Sequence, residues 1–375
     1  MASMPAGRPP RPEGVADHRA SAGRRHGDTL DDRLRTWSLQ YGPRTALVHG
    51  DTRTTYANLN RRVDRVAAGF RLRGLRPGQR VLVQLPNVPE FVVTVFALMR
   101  AGAVPVLCPL PYPASEVRHL VRVTEAVGYV GPSTYQGFDH TAMAADIAAR
   151  TPFLRRVFTF EAPGEASPYG GFSTDPAGCH YFPLASLDSP PGPALAQSAG
   201  HVAFLLLSGG SAGTPGPVPR THSHYAGQVR AAAELVSLTE NDVYLAALPA
   251  GSDVAFGCPG IVGTLSVGGT VVLAENPGPA ACLALIAQEG VTFTSLAPAD
   301  AQHWLEVQPT VGADVSSLRL VQLMGGAAPP PPVVVERWGS AWDCRVQQVF
   351  EAAEGLVTLT PLAALDASVP SREPG

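Results

Sequence analysis

The chain has 375 residues, of which 45% are hydrophobic and 16% charged, and its formal net charge at pH 7 is -3. This length allows two or three packed units, and the composition is that of an ordinary globular protein. The weak charge gives no broad basic field, which argues against nucleic acid or an anionic membrane as the main partner. Since no apolar run is long enough to span a bilayer, we predict neither a nucleic-acid nor a membrane partner.

The cysteine and lysine content limits the kinds of metal site and cationic group that the chain can form. The five cysteines are widely scattered, with no CxxC pair and no clustered His/Cys spacing of the kind that a zinc site needs. The N-terminus lacks the apolar core of a signal peptide, and we therefore predict a reducing, cytoplasmic location. All 28 Lys+Arg residues are arginine, so the chain offers guanidinium groups but no side-chain ammonium.

Changes of pattern divide the chain into four predicted parts. Residues 1–29 mix Pro, Gly, Ala and Arg without apolar periodicity, which predicts a disordered leader. Residues 30–200 alternate helical patterns with apolar strands such as RVLVQLP. Residues 201–355 repeat this alternation and open with the apolar strand HVAFLLLSGG, and we expect residues 356–375 to be a tail or a barrel remnant.

The alternation of strands and helices predicts the fold class. Strands that are joined through helices of moderate length form parallel βαβ units. We therefore predict an α/β protein with a first α/β subdomain over 30–200 and a second over 201–355. These subdomains should form two similar stacked layers.

A loop rich in Gly, Ser and Thr follows the buried strand that ends near residue 207. Glycines allow the backbone to point N–H groups at a polyanion, and the hydroxyl groups add further donors, so such a loop can hold phosphates. A Gly/Ser turn after a strand is also common in α/β proteins. The loop composition therefore leaves a phosphate-binding and a purely structural interpretation open.

The surrounding motifs favour phosphate binding. SGGSAGTPG followed by VPRTH resembles the phosphate loop of the acyl-adenylate-forming superfamily, and the match is closest to its aryl-acid members, the 2,3-dihydroxybenzoate-AMP ligase group. FALMRAGAVPVL, LPAGSDVAFGCPG and QQVFEAAEGLV also fit the family in order, so the resemblance covers residues from about 30 to 360. It implies the fold of the adenylate-forming N-terminal domain.

The resemblance also implies a reaction and its cofactors. Members of the family join a small carboxylic acid to ATP as an acyl-adenylate, release pyrophosphate, and pass the acyl group to a thiol, often on a carrier protein. The implied cofactors are ATP and Mg²⁺, and the implied partners are the acid and a carrier protein. Related members that make siderophores or secondary metabolites suggest the same biosynthetic setting.

The resemblance assigns nucleotide-binding roles to three segments. The β- and γ-phosphates would be held by Ser208, Gly209, Gly210, Ser211, Gly213 and Thr214. The adenine would lie against Gly325, Gly326 and Ala327, with Phe350 nearby. Glu354 matches the acidic residue that positions Mg²⁺, a hard cation that prefers carboxylate oxygen.

The implied acid site departs from the aryl-acid pattern. Ser252 and Asp253 replace a His-Asn pair, Cys258 replaces a serine that recognises ring hydroxyls, and Val349 is the fourth residue assigned to this site. An ionised aspartate accepts hydrogen bonds but cannot donate them, so it suits an amine better than a phenol. An amino or aminoaryl acid is therefore one expectation, and a pocket that has lost its selectivity is the other.

Other departures affect the expected activity. Gly216 stands where the family has a loop lysine, and Pro217 beside it removes a backbone donor. The rest of the barrel and the small lysine-bearing C-terminal domain are not expected in a chain that ends at Gly375, so no catalytic residue can be assigned. We expect an enzyme that is impaired alone and aided by a C-terminal domain in trans. The alternatives are a catalytically inactive binding homologue and a frame without a selected function.

Overall fold

The computed structural model describes residues 28–110, 112–162, 172–208, 215–325, 337–338, 341–352 and 356–359. The leader predicted over 1–29 therefore lies outside the described residues except for its last two. The helices in the described ranges are α1 (Leu30–Gln40), α2 (Tyr56–Leu72), α3 (Pro89–Arg100), α4 (Ala114–Thr124), α5 (His140–Arg150), α6 (His222–Leu235), α7 (Asp253–Gly257), α8 (Gly260–Ser266), α9 (Pro279–Glu289) and α10 (Pro298–Val311).

The strands form two large sheets and one small hairpin. The strands of the first half of the chain are β1 (Thr45–His49), β2 (Thr52–Thr55), β3 (Arg80–Val83), β4 (Val104–Leu107), β5 (Gly128–Pro132), β6 (Thr134–Tyr135), β7 (Phe138–Asp139), β8 (Arg156–Phe160), β9 (Ser173–Thr174) and β10 (His180–Pro183). Those of the second half are β11 (Val202–Leu207), β12 (Pro217–Thr221), β13 (Val243–Ala246), β14 (Thr270–Leu273), β15 (Phe293–Leu296), β16 (Leu320–Gly325), β17 (Arg345–Ala352) and β18 (Leu356–Leu359).

Both large sheets contain eight strands and are mostly parallel. The first has the order β12-β11-β4-β3-β5-β8-β10-β9, and the second has the order β18-β17-β16-β15-β13-β14-β1-β2. Antiparallel strands lie at the edges of both sheets, where β12, β9, β18 and β2 pair with their neighbours. These pairings confirm the predicted α/β fold with two parallel-rich layers, and the described residues form no closed barrel.

The two sheets exchange strands across the predicted subdomain boundary. We expected β11 to open the second layer, but it pairs in parallel with β4 of the first sheet. Conversely, β1 pairs in parallel with β14 of the second sheet, although it lies near the start of the chain. Apolar strands of this kind can be buried in either sheet, so their composition does not identify the layer. The boundary near residue 200 stays a proposal about organisation along the chain.

Helix α3 belongs to the main hydrophobic core. All of its residues except Glu90 are buried, as expected for a helix that is apolar on every side. Pro89 occupies its first turn, where a missing N–H leaves no helical hydrogen bond unmade. The core around α3 contains side chains of both sheets, including Val83 and Leu273. No helix among the described residues is long and apolar enough to cross a membrane.

Candidate active site

The predicted phosphate loop connects two antiparallel strands, β11 and β12. Ser208 N–H donates to Gly216 O over 2.9 Å, and Gly216 N–H donates to Ser208 Oγ over 3.0 Å. These bonds close the base of the loop and fix where the chain leaves and re-enters the sheet. A Cβ atom built on Gly216 would meet only Ser208 Oγ, at 3.4 Å, among the described residues. Gly209, Gly210, Ser211, Gly213 and Thr214 lie outside the described residues.

The predicted adenine segment lies at the ends of two paired strands. Gly325, the last residue of β16, is in register with Phe350 of β17. The Phe350 side chain is 48% exposed, so its ring is accessible beside a residue without a side chain. Gly326, Ala327 and Glu354 lie outside the described residues.

Asp253 is a buried carboxylate at the start of helix α7. Ser252 begins the helix as its N-cap, and its hydroxyl accepts from Ala255 N–H over 3.4 Å. Asp253 is 5% exposed, and its two oxygens accept from different side chains of α6. Tyr225 Oη donates to Oδ1 over 2.8 Å, and Gln228 Nε2 donates to Oδ2 over 3.3 Å. Hydrogen-bond donors of the protein thus fix the position of the carboxylate without a ligand.

Gln228 connects Asp253 to two further polar groups. Its Nε2 lies 2.7 Å from Cys258 Sγ, and its Oε1 accepts from Arg220 Nη2. Cys258 Sγ lies 3.7 Å from Asp253 Oδ1, and the Arg220 guanidinium lies 5.4 Å from the centre of the Tyr225 ring. Arg220 is itself only 2% exposed. A buried cation therefore lies close to the buried carboxylate, with Gln228 between them.

Burial and these neighbours act in opposite directions on the pKa of Asp253. Removal from water raises its pKa above the ordinary value, while the Tyr225 hydrogen bond, the Arg220 charge and the Gln228 hydrogen bond lower it. Burial is the larger effect, so the net shift is upward. A ligand that brings a positive charge to Asp253 would favour its ionised form.

An apolar cluster joins the Asp253 region to β16 and β17, which contain part of the predicted adenine segment. Cys258 and Val349 belong to one buried cluster with Leu248 and Val254, and Met324 packs against it. Val349 is in register with Met324, one residue before the Gly325 and Phe350 pair. The structure therefore brings three of the four predicted acid-site residues, Asp253, Cys258 and Val349, close to the described part of the adenine segment.

Asn87 fixes the loop that leads into α7. Its Nδ2 donates to Ala246 O over 2.8 Å and to Leu248 O over 3.0 Å, and its Oδ1 accepts from Ala250 N–H over 2.8 Å. These three bonds tie the end of β13 and the following loop to the start of α3. They position Ser252 and Asp253 relative to the core.

Sequence reasoning missed the contributions of Arg220, Tyr225 and Gln228. Tyr225 and Gln228 are three residues apart on α6 and so point to one side of the helix. Two sequence features could have drawn attention to these side chains. One is their spacing, and the other is that their helix starts directly after the hairpin of the predicted phosphate loop. Neither feature could reveal that this face meets Asp253, which lies 28 residues after Tyr225.

The described residues are compatible with the implied nucleotide and metal. They contain no group of three His, Cys, Asp or Glu side chains that could hold a metal ion. Mg²⁺ in nucleotide sites is usually bound by one or two carboxylates together with substrate phosphates, so a complete protein cage is not required. The exposed Phe350 ring beside Gly325 is compatible with a base stacked in this place.

Comparison with protein-family models decides the classification. Residues 34–373 match the model described as AMP-binding enzyme. The chain belongs to this AMP-binding enzyme family. The match spans both sheets, the loop hairpin and the Asp253 region, so the resemblance of the sequence motifs is confirmed over most of the chain.

Two curated relatives and one solved structure of the AMP-binding family illustrate the similarity. The 2,3-dihydroxybenzoate-AMP ligase of Bacillus subtilis is 36% identical over 353 residues, which cover 94% of this chain and 62% of the relative. The salicyl-AMP ligase / salicyl-S-ArCP synthetase of Mycobacterium tuberculosis is 38% identical over 370 residues, covering 94% and 63%. The apo structure of Mycobacterium smegmatis MbtA superposes with a TM-score of 0.79 at 36% identity, covering 90% and 59%. The chain thus spans less than two thirds of each.

Proposed function

We propose that this protein takes part in the ATP-dependent activation of an aryl carboxylic acid. A carboxylate oxygen of the acid attacks the α-phosphorus of ATP, the bond to the β-phosphate oxygen breaks, and aryl-AMP and pyrophosphate form. Membership of the AMP-binding family and relatives named for aryl acids support the reaction class. The observation that carries the proposal is the proximity of Asp253, Cys258 and Val349 to the strand ends at Gly325 and Phe350.

ATP and Mg²⁺ would be held by the segments that the sequence motifs assign. Ser208 and the loop that it opens would bind the phosphates, Gly325 and Phe350 would contact the base, and Glu354 would position Mg²⁺. When bound, the metal ion neutralises phosphate charge as pyrophosphate leaves. The closed hairpin base at Ser208 and Gly216 would orient the loop, and the activated acyl group would pass to a thiol, which we propose belongs to a carrier protein.

The environment of Asp253 favours a substrate with an amino group on or near its ring. Tyr225 and Cys258 donate to Oδ1 and Gln228 donates to Oδ2, whereas an ionised carboxylate offers about four acceptor positions, so one remains on Oδ2. An amine can therefore be added to these bonds without displacing a protein donor. An arylamine is neutral at pH 7 but carries two N–H donors, one for Asp253 and one for a further acceptor, whereas a phenol carries a single O–H donor. We thus rank an aminoaryl acid first and a hydroxybenzoate second.

A second function, binding without catalysis, is favoured by the absence of lysine. Gly216 replaces the loop cation, and none of the 28 basic residues is lysine. Loss of a preorganised cation from a step in which charge develops costs on the order of a hundred-fold in rate. On this second proposal the protein retains an acid or adenylate but does not form it, and it acts through a partner protein.

Binding of stable adenylate mimics tests the proposed site directly. Titration calorimetry would compare the 2-aminobenzoyl, 2-hydroxybenzoyl and benzoyl sulfamoyl adenosines. We expect all three to bind and the amino compound to bind about ten-fold more tightly than the unsubstituted one, because it makes a charge-assisted hydrogen bond to Asp253. Asp253→Asn should remove this preference while leaving affinity for the benzoyl compound within about two-fold. Failure of every mimic to bind folded protein would contradict the proposal.

A further inference from the structure

A cavity separate from the Asp253 cluster is lined by residues from both large sheets. Its volume is about 580 Å³, within the range of roughly 300 to 1,000 Å³ that is usual for small-molecule sites. His49 at the end of β1 and Glu275 after β14 line it from the second sheet, while Thr94 of α3 and Phe160 at the end of β8 line it from the opposite side. It shares no lining residue with the candidate active site.

Most charged side chains around this cavity are already paired. Arg62 Nη2 lies 2.8 Å from Glu90 Oε1, Arg65 pairs with Asp188, and His49 Nε2 lies 3.0 Å from Glu275 Oε2.

Glu161 is the remaining acidic residue of the lining. Its Oε1 accepts from Thr159 Oγ1 over 2.7 Å, and no arginine or histidine of the described residues forms an ion pair with it. The cavity therefore carries one carboxylate whose charge has no described counter-ion.

Thr94 provides an independent indication of a ligand. Its side chain lines the cavity in the middle of α3, and the residue is only 1% exposed. Its Oγ1 has no hydrogen-bond partner among the described residues. A buried hydroxyl without a partner costs on the order of 1 to 3 kcal/mol, so most such groups are satisfied by protein, water or ligand. Thr94 can supply that contact to a molecule in the cavity.

The other walls are apolar and include one aromatic ring. Val66, Val93, Leu184 and Phe160 line the cavity beside the polar groups. Phe160 and Glu161 both line the cavity, so an apolar surface and a carboxylate are available in it. A protonated amine is attracted to the carboxylate, and an apolar body is favoured by the other walls.

We propose that this cavity binds a small molecule with an apolar body and one protonated amine. The ammonium group binds the Glu161 carboxylate, the body packs on the apolar lining, and a polar atom of the ligand bonds to the Thr94 hydroxyl. The site does not depend on the proposed adenylation activity, and the ligand is distinct from the activated acid.

A matched series of probes tests the charge requirement. Titration calorimetry on the purified chain would compare 2-phenylethylamine, neutral 2-phenylethanol and anionic 3-phenylpropionate. We expect the amine to bind at least ten-fold more tightly than the alcohol, and the carboxylate to bind least. Glu161→Gln should weaken amine binding about ten-fold or more, and Thr94→Val should weaken it two- to ten-fold. Equal binding of all three probes would overturn the proposal.

Two control variants locate the bound amine. Arg118→Gln alters an exposed ion pair with Asp146 far from the cavity lining, and we expect no change in amine affinity. Asp253→Asn tests whether the amine instead occupies the acid site. Loss of binding in Asp253→Asn but not in Glu161→Gln would overturn the proposal. Thermal unfolding of each variant without probe verifies that it is folded.

Discussion

At the scale of single residues, the most informative feature is the shell around Asp253. A buried carboxylate is tolerated here because Tyr225, Gln228 and the nearby Arg220 compensate part of the cost of removing it from water. Tyr225 and Cys258 both donate to Oδ1, so the remaining acceptor capacity is on Oδ2. If the proposed acid site is correct, acids would be distinguished by the group that they present to Asp253.

Tyr225→Phe tests this shell. Removal of the phenol leaves the buried Asp253 Oδ1 without its shortest described hydrogen bond, so we expect a loss of about 1 to 3 kcal/mol in the free energy of unfolding. The midpoint of urea unfolding measures this loss. Tyr135→Phe is the matched control, because its hydroxyl donates to Glu275 O over 3.2 Å from a partly exposed position. Equal effects of the two variants would contradict the role assigned to Tyr225.

His222 gives a second residue-scale prediction, on pH. Its Nδ1 accepts from Leu30 N–H over 3.2 Å, and burial lowers its pKa from 6.5 to about 4. The unfolded chain therefore takes up a proton that the folded chain excludes, and stability falls as pH drops from 6.5 towards 4. The free energy of unfolding should therefore fall between pH 7 and pH 5, and we expect His222→Gln to reduce this fall by up to about 2 kcal/mol.

The pH dependence is measured by urea unfolding at both pH values. His140 has its pKa lowered to about 4 by burial as well, so part of the dependence remains in the variant. Exposed His303→Gln on α10 serves as the control. A His222→Gln protein with the same loss as the original chain would refute the role of this histidine.

At the scale of elements, helix α1 is attached to the core through a buried ion pair. Arg100 at the end of α3 lies 2.5 Å from Asp31 Oδ1 of α1 and 3.0 Å from Asp64 Oδ1 of α2. Burial raises the pKa of Asp31, and the charge of Arg100 is the largest effect that opposes this shift. One arginine thus connects three helices.

Arg100→Met should destabilise the protein by about 3 to 5 kcal/mol, because it leaves the Asp31 carboxylate buried without its main counter-ion. Removing the cation raises the pKa of Asp31 further, so the loss should be larger at pH 7 than at pH 4. Arg150→Met breaks an exposed pair with Asp146 and should cost less than about 1 kcal/mol. Similar costs for the two variants would contradict this account of α1.

The β11–β12 hairpin gives a prediction about activity. A Cβ on Gly216 is in ordinary contact with Ser208 Oγ, so the described residues allow a side chain to begin there. If the missing cation limits adenylation, Gly216→Lys should raise acid-dependent pyrophosphate exchange by about ten-fold or more. Gly278→Lys, at the exposed N-cap of α9 with nothing within 4 Å of its Cβ, adds the same charge elsewhere. Equal exchange in both variants would show that position 216 is not limiting.

At the scale of the whole molecule, local sequence patterns predicted that there are two α/β layers, but not which strand belongs to which sheet. Helix-strand alternation and apolar strands such as β4 and β11 depend on neighbouring residues, and they were visible in the sequence. The pairing of β1 with β14 joins residues more than 200 positions apart, and no local pattern encodes it. The candidate site shows the same difference between local and long-range features. Sequence motifs drew attention to Asp253 and Cys258, whereas the contacts with Arg220, Tyr225 and Gln228 depend on tertiary packing.

Acid-dependent exchange of pyrophosphate into ATP tests the proposed adenylation most directly. The purified chain would be assayed with aminobenzoates, hydroxybenzoates and amino acids, each with and without an added lysine-bearing C-terminal domain of a relative. We expect exchange above the no-acid blank with an aryl acid, strongest for an aminobenzoate and raised by the added domain. A flat result with every acid under both conditions, on protein shown to be folded, would contradict adenylation and leave binding as the function.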